Sequence, residues 1–370
     1  MSHPVNYKYH STNQFRNVVK SIKEQTVFAG LDSEGNVIKD MTKPLPKIEY
    51  IGTTKLHGTN ASIILHEDGV ISFHSKSKLL GYVTADKEFI LLSDNAEFAQ
   101  SMYRRLESVE TIVKDVLVQV KNPEGIVEYP VKISGEWCGQ GIQKGVGISY
   151  LPKRSFFIFG IKSGETDQEN KNGWLSMYCL NGVGGFDTMS DGIYTIMDFS
   201  TKKITIDFNN PEYSQNLLVK ATEEVENECP VSKQLNLKDS EGNPALLGEG
   251  LVWTPIDSNY CWDSGNWFKT KSQKHSVSKV KSVAEISPEK LNSIKEFVEY
   301  SVTENRLQQG LQEVGLDQKN IGKFIGWVSK DVNKEEGDTL ETNNLSMKEV
   351  GKYIASKSRE WYINKLNNAL

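Results

Sequence analysis

Strand-like stretches follow one another with little interruption from about residue 47 to residue 280, and then they stop. The series runs through "KIEYIGTTKLHG", "ASIILHE", "GVISFHSK", "YPVKISGEWCG", "SFFIFGIK", "WLSMYCL", "GIYTIMDFS", "KKITIDF", "GEGLVWTP" and "NWFKTKS". Each is short and rich in β-branched and aromatic residues. Two helices interrupt the series. One lies around 95–121, with Met102, Leu106, Val109, Val113 and Val116 on one face, and the other around 211–228. A third, "STNQFRNVVKSIKEQ" (11–25), precedes the strands, with Phe15, Val18, Val19 and Ile22 at helical spacing after a Ser/Thr start. Many strands with few helices between them give an α+β class built on antiparallel sheets.

After Lys281 the texture becomes helical. "ISPEKLNSIKEFVEYSVTENRLQQGLQEVG" offers Ser287 as N-cap, Pro288 at the first helical position and an apolar stripe of Leu291, Ile294, Phe297 and Val298. "DQKNIGKFIGWVSKDV" and "SMKEVGKYIASKSREWYINKLNN" follow, the latter opening with a Ser346 to Glu349 capping box. A chain of 370 residues is long enough for two cores. The expected division is therefore a sheet domain at 1–282 and a small all-α domain at 283–370. No internal repeat or low-complexity segment stands out.

Hydrophobic residues at 38% and charged residues at 25% describe an ordinary soluble protein. No apolar run approaches the ~20 residues of a membrane helix, and "MSHPVNYKYH" has no signal-like h-region, so a cytoplasmic location without membrane contact is expected. Cys138, Cys179, Cys229 and Cys261 lie far apart with no C-x-x-C pair, which suggests neither zinc nor disulfides. A net charge of -5 argues against a protein that coats nucleic acid by overall basicity. The basic residues instead bunch in "HSKSK" (74–78) and "KTKSQKHSVSKVK" (269–281), where a phosphate partner would sit. "GQGIQKG" (139–145) misses the dinucleotide fingerprint, and no P-loop occurs. No obligate protein partner is evident.

"TTKLHGTNASIIL" (53–65) carries the sharpest chemical signal. Lys55 and His57 alternate on a strand, Gly58 is expected to turn the chain, and Asn60 to restart it. Downstream, charged or aromatic residues recur inside or at the ends of apolar strands: Lys76, Glu136, Phe159, Glu249, Lys269 and Lys271. Taken singly, each reads as a solvent-facing or core residue. Their order changes the reading.

These stretches resemble the nucleotidyltransferase motifs of the covalent ligase and capping-enzyme superfamily, most closely the phage-type RNA ligase 2 family. "KLHGTN" resembles motif I, "SKSK" motif Ia, "GEWCGQGIQKG" the segment with the motif III glutamate, "FFIFGI" motif IIIa, "EGLVWTP" motif IV and "WFKTKSQKHS" motif V. The match covers roughly residues 45–280 in the family's order. The resemblance implies an ATP-dependent RNA ligase that joins 3′-hydroxyl and 5′-phosphate RNA ends, on a nicked duplex, through lysyl-AMP and RNA-adenylate intermediates in RNA repair. It makes Lys55 the nucleophile, with Thr54 and Leu56 beside it in the nucleotide pocket. Glu136 would hold the ribose, Phe159 stack on adenine, and Glu249 help hold Mg²⁺ (or Mn²⁺). Lys269 and Lys271 would neutralise the phosphates, Lys76 contact phosphate, and Asn60 the sugar or the nick.

An amine attacks phosphorus only when neutral, so a site that uses one must remove its proton. The chain departs from the family at Gly160, where an acidic residue often follows the motif IIIa aromatic, and at Lys76, where relatives carry arginine. The tail matches no motif. Lys319, Lys323, Lys330, Lys352 and Arg359 within it are candidates for RNA phosphates or for plain solubilising charge. The alternatives are a tRNA-repair ligase, a DNA ligase or a capping guanylyltransferase with the same chemistry, or a non-catalytic nucleic-acid-binding module. A DNA ligase or capping enzyme would append an OB-fold where this chain has helices.

Overall fold

The computed structural model describes residues 7, 9, 11–40, 42–164, 172–271, 294–342 and 345–368. Two compact units divide the chain, Met1–Thr270 and Lys271–Leu370. Ser287, Pro288, Leu291 and the expected boundary near 282 lie outside the described residues, as does most of the basic run at 269–281.

The strands are β1 (Asn13–Gln14), β2 (Phe28–Leu31), β3 (Val37–Lys39), β4 (Lys47–Lys55), β5 (Thr59–Leu65), β6 (Ile71–Ser75), β7 (Leu79–Val83), β8 (Phe89–Leu91), β9 (Val131–Cys138), β10 (Ser155–Ser163), β11 (Ile193–Thr195), β12 (Lys202–Asp207), β13 (Gly250–Pro255) and β14 (Phe268–Lys271). They form a five-stranded sheet in the order β1-β14-β13-β4-β12, a seven-stranded sheet in the order β11-β10-β9-β5-β6-β7-β8, and a β2–β3 hairpin. β4 pairs antiparallel with both β12 and β13, and β9 with both β5 and β10. The β1–β14 and β10–β11 pairs are parallel. The expected α+β class on antiparallel-rich sheets holds.

β4 shows how sequence places the site. Its first residues alternate, Lys47 and Glu49 exposed against Ile48 and Tyr50 buried, after which the chain is buried on both faces from Tyr50 to Thr54. The strand thus starts at the surface and delivers Lys55 into the interior. The expected helix at 95–121 is two helices, α2 (Phe98–Arg104) and α3 (Leu106–Val120), broken at Arg105. They bury Phe98, Met102, Val109, Ile112, Val113 and Val116 in the core that covers one face of the seven-stranded sheet. "WLSMYCL" is not a strand. Only Trp174 makes a bridge, to Lys162, and Met177–Leu180 is a 3₁₀ turn.

The N-terminal helix spans Phe15–Val27 and buries Phe15, Val18, Ile22 and Val27. Its Ser/Thr start does not cap it: the N-cap is Gln14, without a side-chain bond.

The second unit is helical over Ile294–Ser301, Glu304–Val314, Ile321–Glu335, Gly337–Thr342 and Met347–Asn368. Phe324, Val328 and Val332 on one helix, and Val350, Ile354, Ser358 and Tyr362 on another, recur every fourth residue and are buried in its core. Arg306 is fully buried there: its Nε donates to Asp331 at 2.9 Å, its guanidinium also donates to the Ser301 carbonyl, and Glu336 lies at 3.5 Å. At Ser346 the capping box is half made. The Glu349 carboxylate accepts from both the Ser346 N–H and its hydroxyl, while the Glu349 N–H donates to the Ser346 carbonyl. Among the described residues no helix is long and apolar enough to cross a membrane.

Candidate active site

"TTKLHGTNASIIL" is not a hairpin. β4 ends at Lys55 in the five-stranded sheet and β5 begins at Thr59 in the seven-stranded one, so three residues carry the chain from sheet to sheet. At that crossing Lys55 Nζ donates to Glu249 Oε2 at 2.7 Å, and the Glu249 side chain is only 5% exposed. The pair follows from register: Gly250, first residue of β13, stands opposite Lys55, which brings Glu249 alongside. Glu249 is held from behind, since the Gly248 N–H donates to the Glu226 carbonyl at 2.8 Å. His57 Nδ1 lies 3.5 Å from the same carboxylate oxygen. His57 is therefore a site residue that the motif reading left out, although its alternation with Lys55 signalled it.

Gly58 serves by being small, not by turning the chain. It is absent from the glycines with positive φ. A Cβ there would meet the Trp137 carbonyl at 2.4 Å, Cys138 Sγ at 2.7 Å and Glu136 Cγ at 2.9 Å. The crossing segment thus lies directly on β9, and the Gly58 N–H donates to Glu136 Oε1 at 3.1 Å. Asn60 stands opposite Glu136 in the β5–β9 ladder. Its buried Oδ1, and the buried Oγ1 of Thr54, have no hydrogen-bond partner among the described residues. Leu56 points into the core. Burial, then the charges of Glu136 and Lys55, act on the Cys138 thiol, with the net effect of pushing it well above its ordinary value, so it remains a neutral neighbour.

Phe159 is the extra residue of a bulge. Ile158 pairs with Gly135 and Gly160 with Ser134, leaving Phe159 without an opposite number. Phe157 faces Glu136 and Gly160 faces Ser134, so Phe159 and Gly160 both lie on the Glu136 face. The Tyr9 ring meets Phe159 edge-to-face, with centroids 5.7 Å apart. Burial and the Glu136 carboxylate hold the Tyr9 phenol above its ordinary range, so it stays a donor.

Lys76 does not stand clear in this state: its Nζ donates to Ser11 Oγ at 3.0 Å, and its carbonyl accepts from the Tyr9 N–H at 2.7 Å. Lys269 and Lys271 share one face of β14, the strand beside β13. Lys55, Glu249, His57, Gly58, Glu136 and Asn60 are thus gathered by direct bonds or register.

The donor set suits a nucleotide with a divalent ion. No cluster of three or more His, Cys, Asp or Glu able to hold a metal exists among the described residues. Mg²⁺ characteristically takes one or two carboxylates and completes its shell with substrate phosphate and water, a set that one buried glutamate fits. Asn60 Oδ1, on the Glu136 face, is a buried acceptor left open for a ligand, whereas Thr54 follows the strand alternation to the face opposite Lys55.

A structure of a Naegleria gruberi RNA ligase mutant with AMP and Mn is 13% identical, with a TM-score of 0.39, over 72% of this chain and 57% of that one. A mutant of the same ligase with ATP and Mn is likewise 13% identical at a TM-score of 0.39, over 72% and 58%. The chain spans under two thirds of the length of these ligases. The family model described as RNA ligase matches residues 48–271, more than half of the 370 residues and nearly all of the two sheets, and on that match the chain belongs to the RNA ligase family.

Proposed function

We propose that the chain is an ATP-dependent RNA ligase whose nucleophile is Lys55. The observation that carries this reading is the Lys55–Glu249 ion pair, half-buried where the chain crosses between sheets with Glu136 bonded to the same segment. As it stands, the pair holds the Lys55 side chain in place. Attack needs a neutral amine, so Glu249 must first release Lys55 and the ammonium pass its proton to water.

The freed amine then attacks the α-phosphorus of ATP, the bond to the β-phosphate oxygen breaks, and pyrophosphate leaves. AMP passes from Lys55 to an RNA 5′-phosphate, and a 3′-hydroxyl displaces AMP to seal the strand. In each step the residues mainly align the reacting groups and stabilise charge. Glu136 and Asn60 hold the sugar, Phe159 stacks on the base, and Lys269 and Lys271 neutralise phosphate. Lys76 contacts phosphate once released from Ser11. Glu249 would hold a Mg²⁺ or Mn²⁺ ion, which supplies charge neutralisation at the α-phosphate. The substrate is RNA with 3′-hydroxyl and 5′-phosphate ends, as a nicked duplex in repair, and the reaction class is that of polynucleotide ligases.

The test is incubation with labelled ATP and Mg²⁺, followed by nicked duplexes in all RNA and DNA combinations. Label should join the protein through an acid-stable, hydroxylamine-resistant bond, and nicks with an RNA 3′-hydroxyl strand should be sealed. Full labelling of Lys55→Ala would overturn the assignment, and sealing of DNA nicks alone would make the chain a DNA ligase.

A further inference from the structure

Gly160 stands where the resembled family often carries an acid, and the structure gives a physical reason for its smallness. A Cβ at Gly160 would lie 2.8 Å from the Trp174 ring and 3.6 Å from that of Trp267. The indole of Trp174 therefore fills the space into which a side chain at 160 would project. It enters from the segment after β10, anchored by its bridge to Lys162 and by its N–H donating to the Trp262 carbonyl at 3.1 Å.

Trp174 is joined to the base-stacking residue through Tyr9. The Tyr9 ring lies 5.7 Å from Phe159 and 5.9 Å from Trp174, edge-to-face with both. These three rings line the face of the seven-stranded sheet that carries Glu136 and Asn60. Only 3% of Trp174 is exposed, yet its indole Nε1–H has no acceptor among the described residues. A buried donor without a partner is unfavourable unless something else supplies the acceptor. Asn60 Oδ1 is an unpartnered acceptor on the same sheet face. A donor and an acceptor, both unsatisfied and on one face of the sheet, match a ligand that offers the complementary pair.

We propose that Trp174 is a specificity-determining residue of the nucleotide pocket, walling the base beside Phe159 and donating its indole N–H to an acceptor atom of the bound nucleotide. Gly160 is then the companion substitution that makes room for the indole. This inference rests on the ligase reading and adds to it a contact that the six motifs do not contain.

The probe is α,β-methylene-ATP, which binds but cannot transfer AMP. Its dissociation constant is measured by titration calorimetry for the intact chain and for Trp174→Phe, which keeps a ring and loses the donor. About tenfold weaker binding by Trp174→Phe is expected for one lost hydrogen bond. Independently, the intact chain labelled with ¹⁵N-indole tryptophan should show one of its seven indole N–H resonances move downfield as the analogue saturates the site. That measurement decides the matter if Trp174→Phe does not fold. Equal affinity of a folded Trp174→Phe, or a titration in which no indole N–H moves, overturns the proposal and leaves the ligase reading standing. Failure of the intact chain to bind the analogue at all overturns both.

Discussion

Replacing Gly58 by alanine tests whether the crossing between the sheets is the structural foundation of the site. Gly58 is not among the positive-φ glycines, so alanine costs nothing in backbone conformation and the whole effect is one of space. The new Cβ would lie 2.4 Å from the Trp137 carbonyl and 2.7 Å from Cys138 Sγ, where ordinary contacts need roughly 3.5 Å. Trp137 and Cys138 are fully buried on β9, in the middle of the seven-stranded sheet, and have nowhere to retreat. The crossing segment must therefore move away by roughly 1 Å, at the ~1–3 kcal/mol of an overpacked core. For a unit of this size that is a fall in Tm of about 2–12 °C. The same shift lengthens the 3.1 Å bond from the Gly58 N–H to Glu136 and displaces Lys55 from Glu249, so AMP transfer should fall much further than stability. Thermal melting followed by circular dichroism and a single-turnover AMP-transfer assay read the two effects. Gly182→Ala is the control. It introduces strain at a φ of +95° in open space, so it should lower Tm modestly and leave AMP transfer unchanged. A Gly58→Ala protein that melts with the intact chain and transfers AMP at its rate would refute the reasoning.

Burial, with Lys132 and His66 nearby, pushes His74 down from 6.5 to about 3, so the unfolded chain binds the extra proton between those values and stability is lost as pH falls through that window. Urea titrations at pH 7, 5.5 and 4 should show a decline of up to ~1.4 kcal/mol per pH unit that His74→Gln reduces. Arg306→Met strands Glu336 and Asp331 in the helical unit and should cost about 3–5 kcal/mol, seen as early loss of helical dichroism on heating. A chain cut near 282 should fold, accept AMP and fail to seal nicks. Sealing at the full rate would remove the helical unit from the reaction, and a folded product without AMP transfer would place the boundary inside the catalytic unit.

Much of the fold was legible because local signals agreed with tertiary ones. "DSEGN" occurs twice, at 32–36 and 239–243, and folds alike both times: the first carboxylate accepts from the N–H groups two and four residues on, at 2.8–2.9 Å. Short-range chemistry suffices there. The same pentapeptide hid β2 and β3, because a polar turn between two three- or four-residue exposed strands leaves no alternation to read. "WLSMYCL" failed for the opposite reason. A short apolar run does not distinguish a strand from a turn, and the Ser176 hydroxyl accepting from the Tyr178 N–H favours the turn. The break at Arg105 lacked a Gly or Pro to announce it.

In the candidate site, the charged side chains were readable while their supports were not. Lys55, Glu136 and Glu249 announce themselves as charges in apolar strands. Gly58 looked like a turn residue, since its need for a missing Cβ arises from Trp137 and Cys138, some 80 positions away. His57 could be seen on the alternate position but not assigned, because only the β4–β13 register sets it beside Glu249. Gly160 looked like a lost carboxylate, yet the space it leaves is filled by Trp174, which arrives from a segment that seemed to be an ordinary strand. A departure from a family motif can therefore be the visible half of a paired change whose other half is a bulky residue elsewhere in the chain. In this protein Gly160 and Trp174 stand in that relation, and the Tyr9 ring joins Trp174 to Phe159.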